Sequence, residues 1–156
     1  MAMVIKVLIS VLVCLLIGAI GSILTIESIP TWYASLTKPF FNPPSWLFGP
    51  VWTVLYVLMG ISFAVVWNKR PIAKARKAYS LFAAQLFLNM IWSPVFFGLK
   101  NIPLAFLIIV LMWIYVFRTI KAFAPINKTA SYLLYPYLAW ITFASLLNAS
   151  IWFLNR

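Results

Sequence analysis

The 156-residue chain has no histidine and one acidic side chain, Glu27, set against twelve lysines and arginines. General acid–base catalysis needs a group that titrates near neutrality, usually histidine or a carboxylate with a shifted pKa. The long apolar stretches hold neither, which argues against hydrolase triads, metalloenzymes and ordinary proton relays. A proton-coupled transporter would place Asp, Glu or His inside a span, and none is present. The only thiol, Cys14, cannot form an internal disulfide and cannot hold a structural metal alone. It reads as a small apolar residue within a helix.

Charge is scarce as well. Charged residues make up 8% of the chain and hydrophobic ones 65%, where soluble domains carry about a quarter charged. The balance of +11 invites a nucleic-acid reading. However, the basic residues lie between apolar runs rather than along a soluble face, which fits membrane topology and anionic headgroups instead. No nucleic-acid partner is expected. The first apolar run lacks an Ala-x-Ala-like cleavage site and continues to about residue 26, so it reads as a retained span rather than a signal peptide.

Crossing about 30 Å of hydrocarbon takes about 20 apolar residues. Five stretches qualify, at about 4–26, 46–67, 79–98, 104–123 and 130–154. They are apolar on every side, which excludes the alternating polarity of a barrel. The expected fold is therefore all-α: one transmembrane domain, 1–156, built as a five-helix bundle. Residues 27–45, ESIPTWYASLTKPFFNPPS, hold four prolines (Pro30, Pro39, Pro43, Pro44) and are expected to be irregular. Trp32, Tyr33, Phe40 and Phe41 make this segment too aromatic for a solvated linker, so it is expected to fold onto the bundle as a lid.

With five spans, Lys6, Lys69, Arg70, Lys74, Arg76, Lys77, Arg118, Lys121 and Lys128 fall on one side, and Lys38, Lys100 and Arg156 on the other. The positive-inside rule puts the N-terminus in the cytoplasm and the long first loop outside, if the membrane is a plasma membrane. A prokaryotic plasma membrane is expected, with an organelle membrane such as the mitochondrial outer membrane as the alternative. The stretch NKRPIAKARK between spans two and three reads as a topology determinant rather than a specific lipid site.

Polar and aromatic residues recur at helical spacing. Gln85, Asn89, Trp92 and Phe96 share one stripe of span three, and Tyr137, Trp140, Ala144 and Asn148 share one of span five. Trp52 and Tyr56 lie a turn apart in span two, with Gly49 and Gly60 near the same face. Each amide is as compatible with interhelical hydrogen-bonding glue as with a ligand contact. Three stripes converging beneath an aromatic loop favour a pocket, and Pro94 and Pro136 are expected to kink their helices beside it. Such a cavity suits a large, flat, mostly apolar ligand held by ring stacking and a few polar contacts.

The string WYASLTKPFFNPPSWLFGPVWTVLYVLMG at 32–60 resembles the hallmark of the translocator protein family, also called tryptophan-rich sensory proteins (TspO/MBR) or peripheral-type benzodiazepine receptors. LNMIWSPVFFG at 88–98 and LLYPYLAWITFASLLN at 133–148 resemble its third and fifth spans. The resemblance implies a five-helix bundle, often dimeric, that binds porphyrins such as protoporphyrin IX and haem, and in some members sterols and benzodiazepine-site drugs. It implies ligand contacts at Trp52, Tyr56, Asn89, Trp92, Trp140, Ala144 and Leu147, with Trp32 from the loop. Sensing or transport of the ligand is the implied role, with no cofactor required.

Two alternatives stay open. One is light-dependent porphyrin breakdown, for which the family's tryptophans match Trp52 and Trp140. The other is sterol or lipid transport, which is disfavoured because Ala149 stands where animal members have a tyrosine. Animal members also carry an Asp and a Trp in span four, at positions that are Ile108 and Leu104 here, which weakens any transfer of drug affinity.

Overall fold

The computed structural model describes residues 2–156, apart from the side chain of Ala73. The described residues form helices joined by turns and irregular connections, with no strand among them. Helix α1 is Met3–Ser28, α2 Ser45–Lys69, α3 Arg76–Ser93, α4 Ile102–Phe123, α5 Lys128–Tyr132 and α6 Tyr135–Leu154. With their continuations these make five segments long and apolar enough to cross a membrane: Met3–Tyr33, Ser45–Lys69, Arg76–Gly98, Ile102–Phe123 and Lys128–Leu154. Val4, Leu8, Leu12, Leu16, Ile20 and Ile23 of α1 are exposed, as suits a lipid-facing surface.

Lipid tails are as apolar as the helices, so small residues and polar contacts set the helix seams. A Cβ on Gly60 of α2 would come within 2.5 Å of the Val11 Cα in α1, so these two backbones cross in close contact. Thr25 of α1 hydrogen-bonds Ser93 of α3 through their hydroxyls. The Ser62 hydroxyl donates to the Ala130 carbonyl at 2.6 Å, tying α2 to α5. The Trp113 indole donates to Thr142 at 2.8 Å, joining α4 to α6. Phe82 and Phe123 stack at 5.9 Å between α3 and α4.

The prolines act differently from expectation. The first span does not stop near residue 26: α1 runs into a π turn, Ile29–Tyr33, and the chain is helical to Ser35. The irregular part of the expected 27–45 loop is therefore only its second half. Pro30 lacks an N–H and would clash with the carbonyl four residues back, and the wider π turn moves that carbonyl aside. Pro94 likewise opens a π turn, Pro94–Gly98, at the end of α3. The fifth span is not one kinked helix but two, α5 and α6, with a turn at Leu133–Leu134 between them. Pro136 lies in the first turn of α6, where its missing N–H costs nothing.

The two π turns lie against each other. Trp32 and Tyr33 of the first pack on Phe96 and Phe97 of the second, with centroids 5.5 to 6.5 Å apart. The Ser28 hydroxyl donates to the Phe97 carbonyl at 3.0 Å. This aromatic layer, with Ile102, Ala105, Leu147 and Ile151, forms a second core above the main one.

Candidate ligand-binding site

Asn89 stands at the centre of the polar stripes. Its Oδ1 accepts from the Tyr56 hydroxyl at 2.5 Å, and its Nδ2 donates to the Tyr137 hydroxyl at 2.8 Å. One amide on α3 thereby links α2 to α6. Tyr137 is wholly buried, and its hydroxyl also reaches the Met112 sulfur at 3.4 Å. Burying these groups in lipid would be costly without such pairing, which explains why all three face inward.

The aromatic rings lie around this network. Trp52 stacks on Tyr56 at 5.7 Å and meets Tyr137 edge-on at 6.1 Å. The Tyr56 ring covers Gly18 of α1, where an added Cβ would come 2.5 Å from Cζ. Trp140 packs against Phe48, one turn before Trp52 on α2, and against Phe143 on its own helix. Ala144 lies in the same cluster.

One level higher, Trp92 stacks on Phe96 at 5.1 Å, and its indole donates to Asn148 Oδ1 at 3.3 Å. The Asn148 amide in turn donates to the Ile102 carbonyl at 3.2 Å. Trp92 borders both cores and so links the lower residues to Trp32 and Leu147 in the upper layer. Trp32 sits on Phe96 and Phe97 at the rim, apart from Trp52 and Tyr56.

Two buried polar atoms here have no hydrogen-bond partner: the indole nitrogen of Trp140 and Oε1 of Gln85. The Gln85 amide nitrogen makes only a 3.9 Å contact with the Met59 sulfur. Buried donors and acceptors are satisfied nine times in ten, so the unpartnered Trp140 indole, packed between Phe48 and Phe143, is a functional signal; the Ser10 hydroxyl on α1 is a third such atom among the described residues. Among the described residues no group of three or more His, Cys, Asp or Glu gathers. The chemistry on offer is therefore ring faces, phenols, amides and one free indole donor.

The rest of the first loop caps this region. The Tyr33 hydroxyl donates to Asn42 Oδ1 at 2.7 Å, and Phe41 packs on Phe143 at 6.1 Å. Asn155, beyond α6, bonds the Thr37 backbone on both its N–H and its carbonyl.

Spacing alone selects Trp52, Tyr56, Asn89, Trp92, Trp140 and Ala144, but it misses Tyr33, Phe48 and Phe143. Phe48 and Phe143 were within reach, lying four residues before Trp52 and three after Trp140. Tyr33 enters the sequence reading only as one of the loop's aromatics, and the structure buries it against Phe96 and Phe97. The glycines also differ from expectation: Gly60 packs on α1, and Gly49 meets nothing within 4 Å. On α4, Ile108 is buried and Leu104 exposed.

Residues 10–153 match the TspO/MBR family. The chain is 48% identical over 153 residues to the tryptophan-rich protein TspO of Archaeoglobus fulgidus, covering 97% of this chain and 98% of that protein. It is 47% identical over 147 residues to the protein of the same name from Chlorobaculum tepidum, covering 91% and 90%. The human translocator protein is 39% identical over 123 residues, covering 78% of this chain and 73% of that one. With five membrane-spanning helices and a match over almost its whole length, the chain is an integral membrane protein of the TspO/MBR family.

Proposed function

We propose that the protein binds a tetrapyrrole of the protoporphyrin IX or haem class between α2, α3 and α6, beneath the first loop, and that binding serves sensing or transport. The observation that carries this reading is the buried, unpartnered indole nitrogen of Trp140 within a ring cluster of Trp52, Tyr56, Phe48 and Phe143. A flat macrocycle offers faces for ring stacking, and its carboxylates offer acceptors for an indole N–H. Tyr56 and Asn89 supply further polar contacts, while Trp92, Ala144 and Leu147 bound the site and Trp32 stands at its rim. The names of two relatives, the tryptophan-rich sensory protein of Cereibacter sphaeroides and the human translocator protein, support a sensing or transport role.

The test is protoporphyrin IX titration of the detergent-purified protein in the dark, followed by tryptophan fluorescence. Saturable quenching is expected, and quenching that only rises linearly would overturn the reading.

A second reading, light-dependent breakdown of the bound porphyrin, draws on the Trp52–Tyr56 stack, an aromatic pair suited to passing an electron. Its test is protein-dependent loss of the porphyrin bands under illumination in air. Equal loss in a Trp52→Phe, Trp140→Phe double variant would eliminate it.

We further infer a prokaryotic plasma membrane, with the end bearing Lys6, Lys69 and Lys128 in the cytoplasm. The archaeal and bacterial relatives and the uneven basic charge support this placement.

A further inference from the structure

An open hollow of about 500 Å³ lies at the end of the bundle that carries most of the basic residues. Arg70 and Lys74, from the connection between α2 and α3, and Arg76 and Lys77, from the first turn of α3, line one side. Arg118 and Lys121, from the last turns of α4, line the other. The only acidic side chain, Glu27, belongs to the far end of α1, so no carboxylate side chain is at hand to neutralise the six.

A topology signal needs the right number of cations near the span ends and does not need them to converge. Here two segments more than 40 residues apart in sequence bring their cations to one concave surface with a small apolar floor that includes Ala78 and Ala122. Six like charges around one hollow repel each other, and an anion seated among them relieves that repulsion.

The start of α3 adds a second, independent observation. Ala75 caps this 18-residue helix without a side-chain hydrogen bond, and no acidic residue lies in the first turn. Backbone N–H groups in a first turn have no intrahelical acceptor, and the helix dipole places partial positive charge there. Arg76 and Lys77 add cations to this positive end, an unfavourable arrangement unless an anion is present. The Ala75 N–H is taken by the Ile72 carbonyl at 3.2 Å, but Arg76, Lys77 and Ala78, whose N–H groups have no acceptor, line the hollow together with the six side chains.

We propose that this hollow is a binding site for a polyanion carrying two or more phosphate groups, either a multiply charged lipid headgroup or a soluble polyphosphate. Its volume lies within the usual range for small-molecule sites, about 300 to 1,000 Å³, and exceeds what one phosphate fills. The site lies at the membrane surface and is separate from the aromatic cluster, so it does not rest on the tetrapyrrole reading.

The test uses the full chain in detergent. Retention of cardiolipin, which has two phosphates, is compared with that of singly charged phosphatidylglycerol by native mass spectrometry. Inorganic pyrophosphate is the soluble probe, read by thermal shift and by competition. One variant carries Lys74→Gln, Arg76→Gln and Arg118→Gln; the control carries Lys38→Gln, Lys100→Gln and Arg156→Gln on the opposite end. Each basic residue near an anionic surface contributes about fivefold, so the first variant should retain cardiolipin about a hundredfold more weakly and the control should be unchanged. If the triple variant does not fold, Arg118→Gln alone should give about a fivefold loss. Cardiolipin retention that pyrophosphate does not displace identifies a headgroup site; displacement by pyrophosphate, with a thermal shift, identifies a soluble phosphate compound. Equal losses in both variants, or no preference for cardiolipin over phosphatidylglycerol together with no pyrophosphate shift, would overturn the proposal.

Discussion

Asn155 holds Thr37 by both sides of its backbone. Its Oδ1 accepts from the Thr37 N–H at 2.9 Å and its Nδ2 donates to the Thr37 carbonyl at 2.8 Å, so one amide closes a two-bond ring with the first loop. The same Nδ2 also donates to the Ile151 carbonyl at 2.7 Å, which anchors the amide to α6. The loop cannot adopt a regular ladder across Pro39, Pro43 and Pro44, so this clasp, the Tyr33–Asn42 bond, the Lys38 bonds to the Ala34 and Leu36 carbonyls and the Phe41–Phe143 contact hold it instead.

Asn155→Ala should therefore loosen the loop while leaving the bundle intact. The two lost bonds to Thr37 are exposed, so about 1 kcal/mol of local stability is expected, or roughly fivefold faster amide exchange at Thr37. Exchange should be unchanged in α3 and α4. Protoporphyrin should associate and dissociate faster, with little change in Kd. Unaltered exchange at Thr37 would mean that the clasp does not hold the loop.

Asn89 carries a heavier burden because two phenols depend on it. Asn89→Leu leaves the Tyr56 and Tyr137 hydroxyls short of a partner in a buried, lipid-surrounded core. A stranded buried polar group costs about 1 to 3 kcal/mol. Tyr56→Phe removes one bond and strands only one lone pair, for which about 0.6 kcal/mol is typical between membrane helices. Thermal unfolding in detergent should thus rank wild type above Tyr56→Phe above Asn89→Leu. The reverse order would mean that the network is decorative.

The five spans are legible because each is a long apolar run with a forced conformation, and lipid permits helices but not open sheet edges. The inward faces are legible for a related reason. Amides at Gln85, Asn89 and Asn148 must turn away from lipid, and helical spacing then carries Trp92 and Trp140 with them, while Trp52 and Tyr56 are picked out only by lying a turn apart on span two. The consequences of the prolines are not legible. A missing N–H at Pro30 or Pro94 says that the α ladder must break, but not whether it opens into a π turn, a kink or a loop. Nor does local spacing show that Arg118 and Lys121 meet Lys74 and Arg76, since convergence of distant segments is a property of the packed bundle.

Three glycines of similar appearance should respond differently to alanine. At Gly60 the new methyl meets the Val11 backbone at 2.5 Å, and backbone cannot swing aside, so α1 and α2 must part. A cost of about 1 to 3 kcal/mol is expected, as for overpacking in general. At Gly18 the methyl meets the Tyr56 ring, which can rotate. Stability should fall less, but the ring should leave both Trp52 and Asn89, and porphyrin quenching should weaken. Gly49 meets nothing, so Gly49→Ala should match or slightly exceed wild type, by up to about 1 kcal/mol. Circular-dichroism melts of the three variants give the ranking directly, and a Gly60→Ala protein as stable as Gly49→Ala would contradict the close α1–α2 crossing.

The orphan indole of Trp140 separates binding from stability. In most variants, removing a buried polar group also removes something that the fold needs. Here Nε1 has no protein partner, so Trp140→Phe deletes a donor whose burial is a standing cost. The ring contacts with Phe48 and Phe143 can be kept in part by the smaller aromatic ring. The free protein should therefore unfold within a few degrees of wild type, some lost packing being offset by relief of the unpaired donor. If the indole donates to a bound tetrapyrrole, affinity should drop by about tenfold, the worth of a hydrogen bond to a charged acceptor. Protoporphyrin IX titration read by absorbance rather than tryptophan fluorescence avoids the lost reporter. A variant that keeps full affinity would remove Trp140 Nε1 from the ligand contacts and leave ring stacking as the basis of binding.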